Sequence, residues 1–199
     1  MRRITGLAFA MALLATPALA QDRPPLFPTR DVAVTYRMSG GPQSGVEMTM
    51  SWHAAGQQMR VDMPGGLGFM VADQQNQRGF MVMEAQRMIM DIPMAQAAGA
   101  QEAMRNARFT RGGNDSVAGT ACTNWTYETP QQQGTACITA DGVMLRSQTS
   151  MAGQQLTMEA VRVNYGPQDP ARYQRPQGYQ AMQAPPMPPG AGGPRRPGG

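Results

Sequence analysis

The fold is decided by a hairpin pattern in the middle of the chain, Phe80-Met81-Val82-Met83-Glu84-Ala85-Gln86-Arg87-Met88-Ile89-Met90. Two apolar runs flank a polar stretch, and each run carries methionine at every second position. Side chains two residues apart in a β-strand lie on the same face of the sheet. A four-residue hairpin loop at residues 84–87 makes Met83 oppose Met88. By the same register Met81 opposes Met90, so the pattern predicts four thioethers in one patch, with the residues between them on the other face.

Short segments of the same type lie on both sides of this hairpin. Apolar residues alternate with polar ones, or form short runs between Gly- and Pro-rich turns, which is typical of β-strands. The predicted strands before the hairpin cover residues 32–38, 46–52, 59–63 and 69–72, and those after it cover residues 120–129, 135–139, 143–149 and 156–163. Residues 112–115 are predicted to be a turn, and the regular pattern is predicted to end at residues 166–170. Residues 93–107 predict one helix, because Ala and Met recur at helical spacing after Pro93. The chain is therefore expected to be mainly β, with one helix packed over one face of the sheet.

The two ends of the chain differ in composition from its body. Residues 1–20 combine Arg2 and Arg3, an apolar stretch and the small-residue site Ala18-Leu19-Ala20, which is the pattern of a removable signal peptide. We expect a periplasmic or secreted protein without a transmembrane segment, because no later stretch has the roughly 18 apolar residues that a span requires. Residues 21–30 form a Pro-rich lead-in, residues 31–182 the folded domain, and residues 183–199 a Pro- and Gly-rich tail that we expect to be disordered.

The net positive charge of the chain comes from its ends. All 17 basic residues are arginine, and four of them, Arg2, Arg3, Arg195 and Arg196, lie in the end segments. The remaining arginines are balanced by the 13 acidic residues, so the body is formally neutral. A nucleic-acid-binding protein requires a surplus of basic charge on one face, and no nucleic-acid partner is expected.

Two cysteines, Cys122 and Cys137, lie 15 residues apart. An even number of cysteines in an exported protein predicts a disulfide, and a loop of this length corresponds to about 3 kcal/mol of stabilisation. The alternatives are a redox pair or a thiolate metal site, but the close C-x-x-C spacing typical of redox enzymes is absent from the sequence.

The methionines are the most distinctive feature of the sequence. The chain has 19 of them, and three Met-x-Met triplets place both members on one face of a strand. Three interpretations stay open: loosely specified core packing, a cavity that adapts to apolar ligands, and a Cu(I) site, since thioether sulfur suits that ion. The candidate ligand-binding residues are Met48, Met50, Met81, Met83, Met88 and Met90, with Trp52 and Phe69 as rigid walls.

Catalytic patterns are absent from the sequence. His53 is the only histidine, and neither a G-x-S-x-G nucleophile turn nor a Gly-rich phosphate loop opening a helix occurs. The aspartates are scattered among predicted turns. We therefore expect a protein that is not an enzyme, that requires no cofactor, and for which no metal ligands are assigned.

Three segments resemble those of the periplasmic lipoprotein carriers of the LolA and LolB type. They are residues 68–90, the Asp-Gly hairpin Ile138-Thr139-Ala140-Asp141-Gly142-Val143, and the segment Ala171-Arg172-Tyr173-Gln174-Arg175-Pro176-Gln177-Gly178-Tyr179. The resemblance implies an incomplete antiparallel β-barrel, or half-barrel, whose concave apolar side is closed by a helix and a loop and receives acyl chains.

The leading hypothesis is an exported monomer that binds a lipid, a lipoprotein acyl chain or another hydrophobic small molecule in a Met-rich concavity. Two alternatives stay open: a Cu(I)-handling protein that uses the clustered thioethers, and a non-catalytic structural envelope factor whose tail engages a partner. Contact of the protein with the envelope is expected to be transient.

Overall fold

A computed structural model describes residues 23–41, 44–151 and 154–182 of the chain, and the predicted signal peptide 1–20 and the predicted tail 183–199 lie outside these residues. The described chain forms one α-helix, α1 (Ala95–Arg105), and twelve strands. The strands are β1 (Val32–Ser39), β2 (Glu47–His53), β3 (Gln58–Asp62), β4 (Gly68–Asp73), β5 (Arg78–Met83), β6 (Met88–Ile92), β7 (Arg108–Val117), β8 (Thr120–Glu128), β9 (Gln133–Ile138), β10 (Met144–Met151), β11 (Gln154–Tyr165) and β12 (Gln180–Met182). Two short 3₁₀ turns occupy Pro64–Gly66 and Pro170–Tyr173.

All twelve strands belong to one sheet. Their order is β12-β6-β5-β4-β3-β2-β1-β11-β10-β9-β8-β7. Every neighbouring pair is antiparallel except β12 with β6, which is parallel. Within the described ranges no pairing joins the edge strands β12 and β7, so the sheet is open. The prediction of a mainly β, antiparallel fold with one helix is confirmed.

The central hairpin has the predicted register. Met83 pairs with Met88 and Met81 with Met90 across β5 and β6. The loop closes with a hydrogen bond from the Arg87 N–H to the Glu84 carbonyl at 3.2 Å. The four-residue connection therefore places the methionines of both strands on one face, as the period of two requires.

Two segments differ from the sequence-based prediction. Residues 112–115 are not a turn, because β7 runs through them with a register shift between Arg111 and Asn114. Two glycines at a bulge in an edge strand need no complete ladder of hydrogen bonds, so the strand continues past them. Beyond residues 166–170 the chain is also ordered, because the turn Pro170–Tyr173 and β12 follow. The strand β12 has only three residues, and all of them are exposed. Its sequence therefore shows no alternation of apolar and polar residues that would predict a strand.

The middle of the sheet and its β7 end have separate cores. Around β1, a cluster of buried residues includes Val32, Trp52 and Leu145 together with Cys122 and Cys137. These cysteines form the predicted disulfide, which links β8 to β9. At the β7 end, Trp125 and its buried neighbours contact Met104 of α1. The helix therefore packs over one face of the sheet, as predicted.

Among the described residues, none of the helices combines the length and the apolar character needed to cross a membrane.

Candidate functional site

One face of the sheet carries a continuous group of methionines, which we call the methionine face. Strand register relates its members: Met50 pairs with Val61, Val61 with Met70, Met70 with Met81, and Met81 with Met90. Directly paired residues share a face of the sheet, with Cβ atoms about 4.5–5.5 Å apart. The methionine face consists of Met48, Met50, Met59, Met70, Met81, Met83, Met88 and Met90.

All eight side chains of the methionine face are half-buried. Met48, Met50 and Met59 pack against the buried cluster around β1. In the described part of the chain, the other five pack against none of the clusters of buried residues. The side of β4, β5 and β6 that carries methionine is thus only partly covered, which is unusual for large apolar side chains in such numbers.

The opposite face of the same three strands is a closed core. Its buried members are Phe69, Val71, Phe80, Val82 and Ile89, and Tyr173 from the segment after β11 covers them. The covering segment contains the aromatic motif at residues 171–179, which resembles a segment of the lipoprotein carriers. No helix or strand is predicted there from the sequence. The hydrophobic effect is therefore satisfied on this face by the chain itself.

The prediction that Phe69 forms a wall of the ligand cavity is wrong. Phe69 is adjacent to Met70 in β4, so its side chain lies on the other face. It pairs with Val82 in β5, and the guanidinium carbon of Arg60 lies 3.5 Å from its ring centroid. An apolar run such as residues 69–72 has no polar alternation to show which residue faces which side, and this is why the assignment failed.

A small apolar cavity adjoins the methionine face at β1, β2 and β3. Its volume is about 170 Å³, and the sheet contributes Val34, Tyr36, Met50, Trp52 and Met59 to its walls. Residues 26–28 of the lead-in close one side of it, and residues 142–144 also contribute to its wall. The structure thus places Met50 and Trp52 of the predicted site at this cavity, whereas Met81, Met83, Met88 and Met90 lie farther along the methionine face.

The aromatic residues of the cavity are held in place by the lead-in. Phe27 stacks on Trp52, with the ring centroids 5.3 Å apart and the planes 13° from parallel. The Tyr36 hydroxyl donates a hydrogen bond of 2.6 Å to the Met144 carbonyl, and burial raises the pKa of Tyr36. Trp52 is 6% exposed, and its Nε1–H has no hydrogen-bond partner among the described residues.

The lead-in itself is anchored at several points. Arg23 donates a hydrogen bond of 2.5 Å to the Arg105 carbonyl at the end of α1. The Thr29 N–H donates to the Asp141 carbonyl at 2.9 Å. Gly142 has a φ of 89°, and a Cβ there would lie 2.3 Å from the Phe27 carbonyl oxygen, so only glycine fits this approach. These contacts make residues 23–31 part of the folded domain.

Asp31 joins three segments where the lead-in enters β1. Its carboxylate accepts hydrogen bonds from the backbone N–H groups of Ala54 at 2.8 Å and Gln168 at 2.7 Å, and His53 Nδ1 lies 3.4 Å away. Burial by itself raises the pKa of Asp31, but the hydrogen bonds from Gln168, Ala54 and His53 outweigh burial and lower it. The Asp31 carboxylate therefore stabilises the entry of the chain into the sheet.

The groups nearest to a catalytic arrangement are Asp31, His53 and Ser51. Ser51 is buried, and its hydroxyl has no hydrogen-bond partner among the residues that the structure describes. A serine nucleophile would need a hydrogen bond to its base, and none joins Ser51 to His53 in this part of the chain. Within the same ranges, no group of three or more His, Cys, Asp or Glu side chains is arranged to hold a metal ion.

Sequence reasoning missed Met59 and Met70 as members of the methionine face. The Met-x-Met triplets predict the other six members, and neither Met59 nor Met70 belongs to a triplet. The signal was nevertheless present, because Met59 alternates with Val61, and Met70 with Ala72, at the same period of two.

Comparisons with known proteins place the chain in a family and a fold. A family model described as a domain of unknown function, DUF4412, matches residues 33–144. No curated protein matches the sequence.

Among solved structures, an uncharacterized conserved protein from Thermus thermophilus is 12% identical, with a TM-score of 0.56 over 78% of this chain and 91% of that one. MucB is 14% identical, with a TM-score of 0.50 over 76% of this chain and 59% of that one. A chain of the Pseudomonas aeruginosa MucA/MucB complex is 15% identical, with a TM-score of 0.50 over 77% of this chain and 58% of that one. This chain thus spans less than two thirds of the MucB chain. At these identities the likeness is one of fold, and the predicted LolA-like half-barrel is confirmed.

Proposed function

Because this chain belongs to the DUF4412 family, whose description states no function, we propose a function from its own geometry: it is an exported carrier that binds an apolar ligand, such as an acyl chain, on the methionine face. The observation that carries the proposal is the contrast between the two faces of β4, β5 and β6. One face is closed by Tyr173 and its neighbours, whereas the methionine side chains on the other are half-buried. The same methionine face continues to the apolar cavity at β1, β2 and β3.

The size of the cavity indicates how a ligand would bind. A volume of about 170 Å³ is below the range of about 300–1,000 Å³ for complete small-molecule pockets. It suits one end of an apolar chain, and the rest would lie along the methionine face from Met50 towards Met90. Each methylene removed from water contributes about 0.8 kcal/mol, so a chain of several methylenes binds without an ionic contact. Methionine side chains are flexible and polarizable, and they adapt to chains of different shape.

Two features support an extracytoplasmic location. Residues 1–20 have the composition of a signal peptide. Cys122 and Cys137 form a disulfide, and disulfides form and persist mainly in oxidising compartments. The proposed role is binding without catalysis.

The proposal is tested by ligand capture and by a charge placed on the methionine face. Native mass spectrometry of the exported protein should show an adduct of lipid size, and a fluorescent fatty-acid probe should bind in titration. Met81→Glu should abolish probe binding, because an unpaired charge in an apolar site is costly.

The matched control is Val161→Glu. It makes the same apolar-to-acidic change at a residue that is 40% exposed and is not part of the methionine face. Equal loss of binding in both variants, or no binding by the wild type, would contradict the proposal.

A second candidate function, Cu(I) binding, is favoured by one specific observation. Met70, Met81 and Met90 form a row across three neighbouring strands, and Met182 of β12 pairs with Met90. Soft thioether ligands select Cu(I).

Replacing the five methionines of β4, β5 and β6 by leucine keeps the apolar volume and costs less than about 1.5 kcal/mol per site. If the row binds copper, this variant loses Cu(I) in anaerobic competition with a chelator. If the face binds acyl chains, the variant keeps the fatty-acid probe.

A further inference from the structure

The unpaired indole N–H of Trp52 has no structural explanation within the described chain. The residue is 6% exposed and its Nε1 atom is buried without a hydrogen-bond partner. Buried polar groups in folded proteins nearly always have partners, and an unpaired one calls for an explanation such as a missing ligand or water. The structure describes two other buried side-chain atoms without a partner, the hydroxyls of Ser51 and Tyr173.

Trp52 and Ser51 both line the apolar cavity, but of the two side chains only that of Trp52 lies on the face of β2 that carries Met50. Trp52 pairs with Val32 in β1 and with Met59 in β3, and all three residues line the cavity. Ser51 is adjacent to Trp52 in β2 and pairs with Arg60, so its side chain lies on the other face. Tyr173 packs in the closed core of that other face.

Tyr36, the other polar side chain of the described cavity wall on the face of Trp52, already has a hydrogen-bond partner. The Tyr36 hydroxyl donates its hydrogen to the Met144 carbonyl, and the described cavity wall contains no charged side chain. A ligand carboxylate would therefore enter an apolar space without a cation to compensate its charge, which is strongly unfavourable. A neutral oxygen acceptor would carry no such charge penalty and would satisfy the indole N–H.

The position of the indole is fixed before any ligand binds. Phe27 stacks against it, and residues 142–144 with Val32 form the surrounding wall. A donor held in place loses little conformational freedom on binding, which favours a specific hydrogen bond.

We propose that the Trp52 Nε1–H donates a hydrogen bond to a neutral carbonyl oxygen of the ligand, so that the site selects ester- or amide-linked acyl groups over plain hydrocarbons and free carboxylates. The inference rests on the proposed binding of an apolar ligand and specifies its chemical class.

Two small ligands of equal size separate this hydrogen bond from simple burial. Methyl hexanoate and nonane have the same number of heavy atoms, and only the ester offers a carbonyl. Their affinities are measured by displacement of a fluorescent apolar probe, for the wild type and for Trp52→Phe, which keeps an aromatic wall but lacks the N–H. The variant should bind the ester about five- to tenfold more weakly, the usual value of one hydrogen bond. Its affinity for nonane should stay within about twofold of wild type.

The matched control is Trp125→Phe. Trp125 is equally buried, at 6% exposed, but belongs to the cluster with Tyr127 at the other end of the sheet. It should change neither affinity, and hexanoate should bind the wild type more weakly than its methyl ester. An equal loss for ester and hydrocarbon in Trp52→Phe would overturn the inference. If neither ligand binds the wild type, the proposed function itself fails.

A second measurement uses the wild-type protein and does not depend on the folding of a variant. The chain has two tryptophans, so its NMR spectrum contains two indole N–H resonances, and the one near the cavity is identified by paramagnetic broadening from a spin-labelled acyl ester. The Trp52 resonance should move downfield on addition of methyl hexanoate and much less with nonane. Equal shifts with both ligands would overturn the inference even where both ligands bind.

Discussion

Two neighbouring residues in β6 provide a direct test of whether the methionine face is a core or a binding surface. Ile89 is 5% exposed and packs in the closed core with Val82 and Tyr173. Met90 is half-buried on the methionine face, opposite Met81. Each is replaced by alanine, so both variants carry the same new side chain one position apart in the same strand.

The two structural environments predict different losses of stability. Truncating a buried isoleucine removes its transfer free energy and leaves a cavity, which costs about 2–5 kcal/mol. Full burial of a methionine is worth about 1.5–3 kcal/mol, so a half-buried one without a packed core above it should lose about 1 kcal/mol. The free energy of unfolding is measured by urea denaturation, with the dependence on denaturant required to stay constant among variants.

The result that would refute this reasoning is a loss of about 2 kcal/mol or more for Met90→Ala. Such a loss is the value for a core methionine, and it would mean that the methionine face is closed packing rather than a surface available to a ligand. A small loss for Ile89→Ala would contradict the assignment of the closed core instead. The expected result is a large loss for Ile89→Ala and a small one for Met90→Ala, the latter with weaker binding of the fatty-acid probe.

Three further predictions follow from the described contacts. Serine at both Cys122 and Cys137 should lower the free energy of unfolding by about 2–5 kcal/mol without changing probe affinity, and alkylation of the unreduced wild type should find no free thiol. Asp31 has a pKa below its ordinary value of 3.8, so the stability that it contributes is present above pH 3.8 and is lost as the pH falls through the lower pKa of the folded state. Asp31→Asn should therefore reduce the loss of stability at acid pH, and an unchanged loss in this variant would contradict the role of Asp31. Peroxide should convert thioethers of the methionine face to polar sulfoxides, which mass spectrometry detects. This oxidation should weaken binding of the fatty-acid probe to the wild type, but not to a variant with leucine on that face.

Local patterns along the chain determined most of the secondary structure. Alternation with a period of two located the strands, and the four-residue spacing between two Met-x-Met triplets set the register of β5 and β6, because a loop of given length allows one pairing. The disulfide followed from two cysteines and a signal-like N-terminus. These features depend on neighbours in sequence, so one sequence was sufficient.

The tertiary structure alone decided which face of each strand is closed. Phe69 and Met70 are both large and apolar, and only the packing of Tyr173, more than a hundred residues away, shows that Phe69 is core and Met70 is not. The lead-in gave no periodic signal, yet Phe27 stacks on Trp52 and closes the cavity. Such contacts are set by the hydrophobic effect, which is non-directional and depends on what the rest of the chain brings to a surface. The sequence therefore determined the strands and the row of methionines, whereas long-range packing determined where a ligand could reach them.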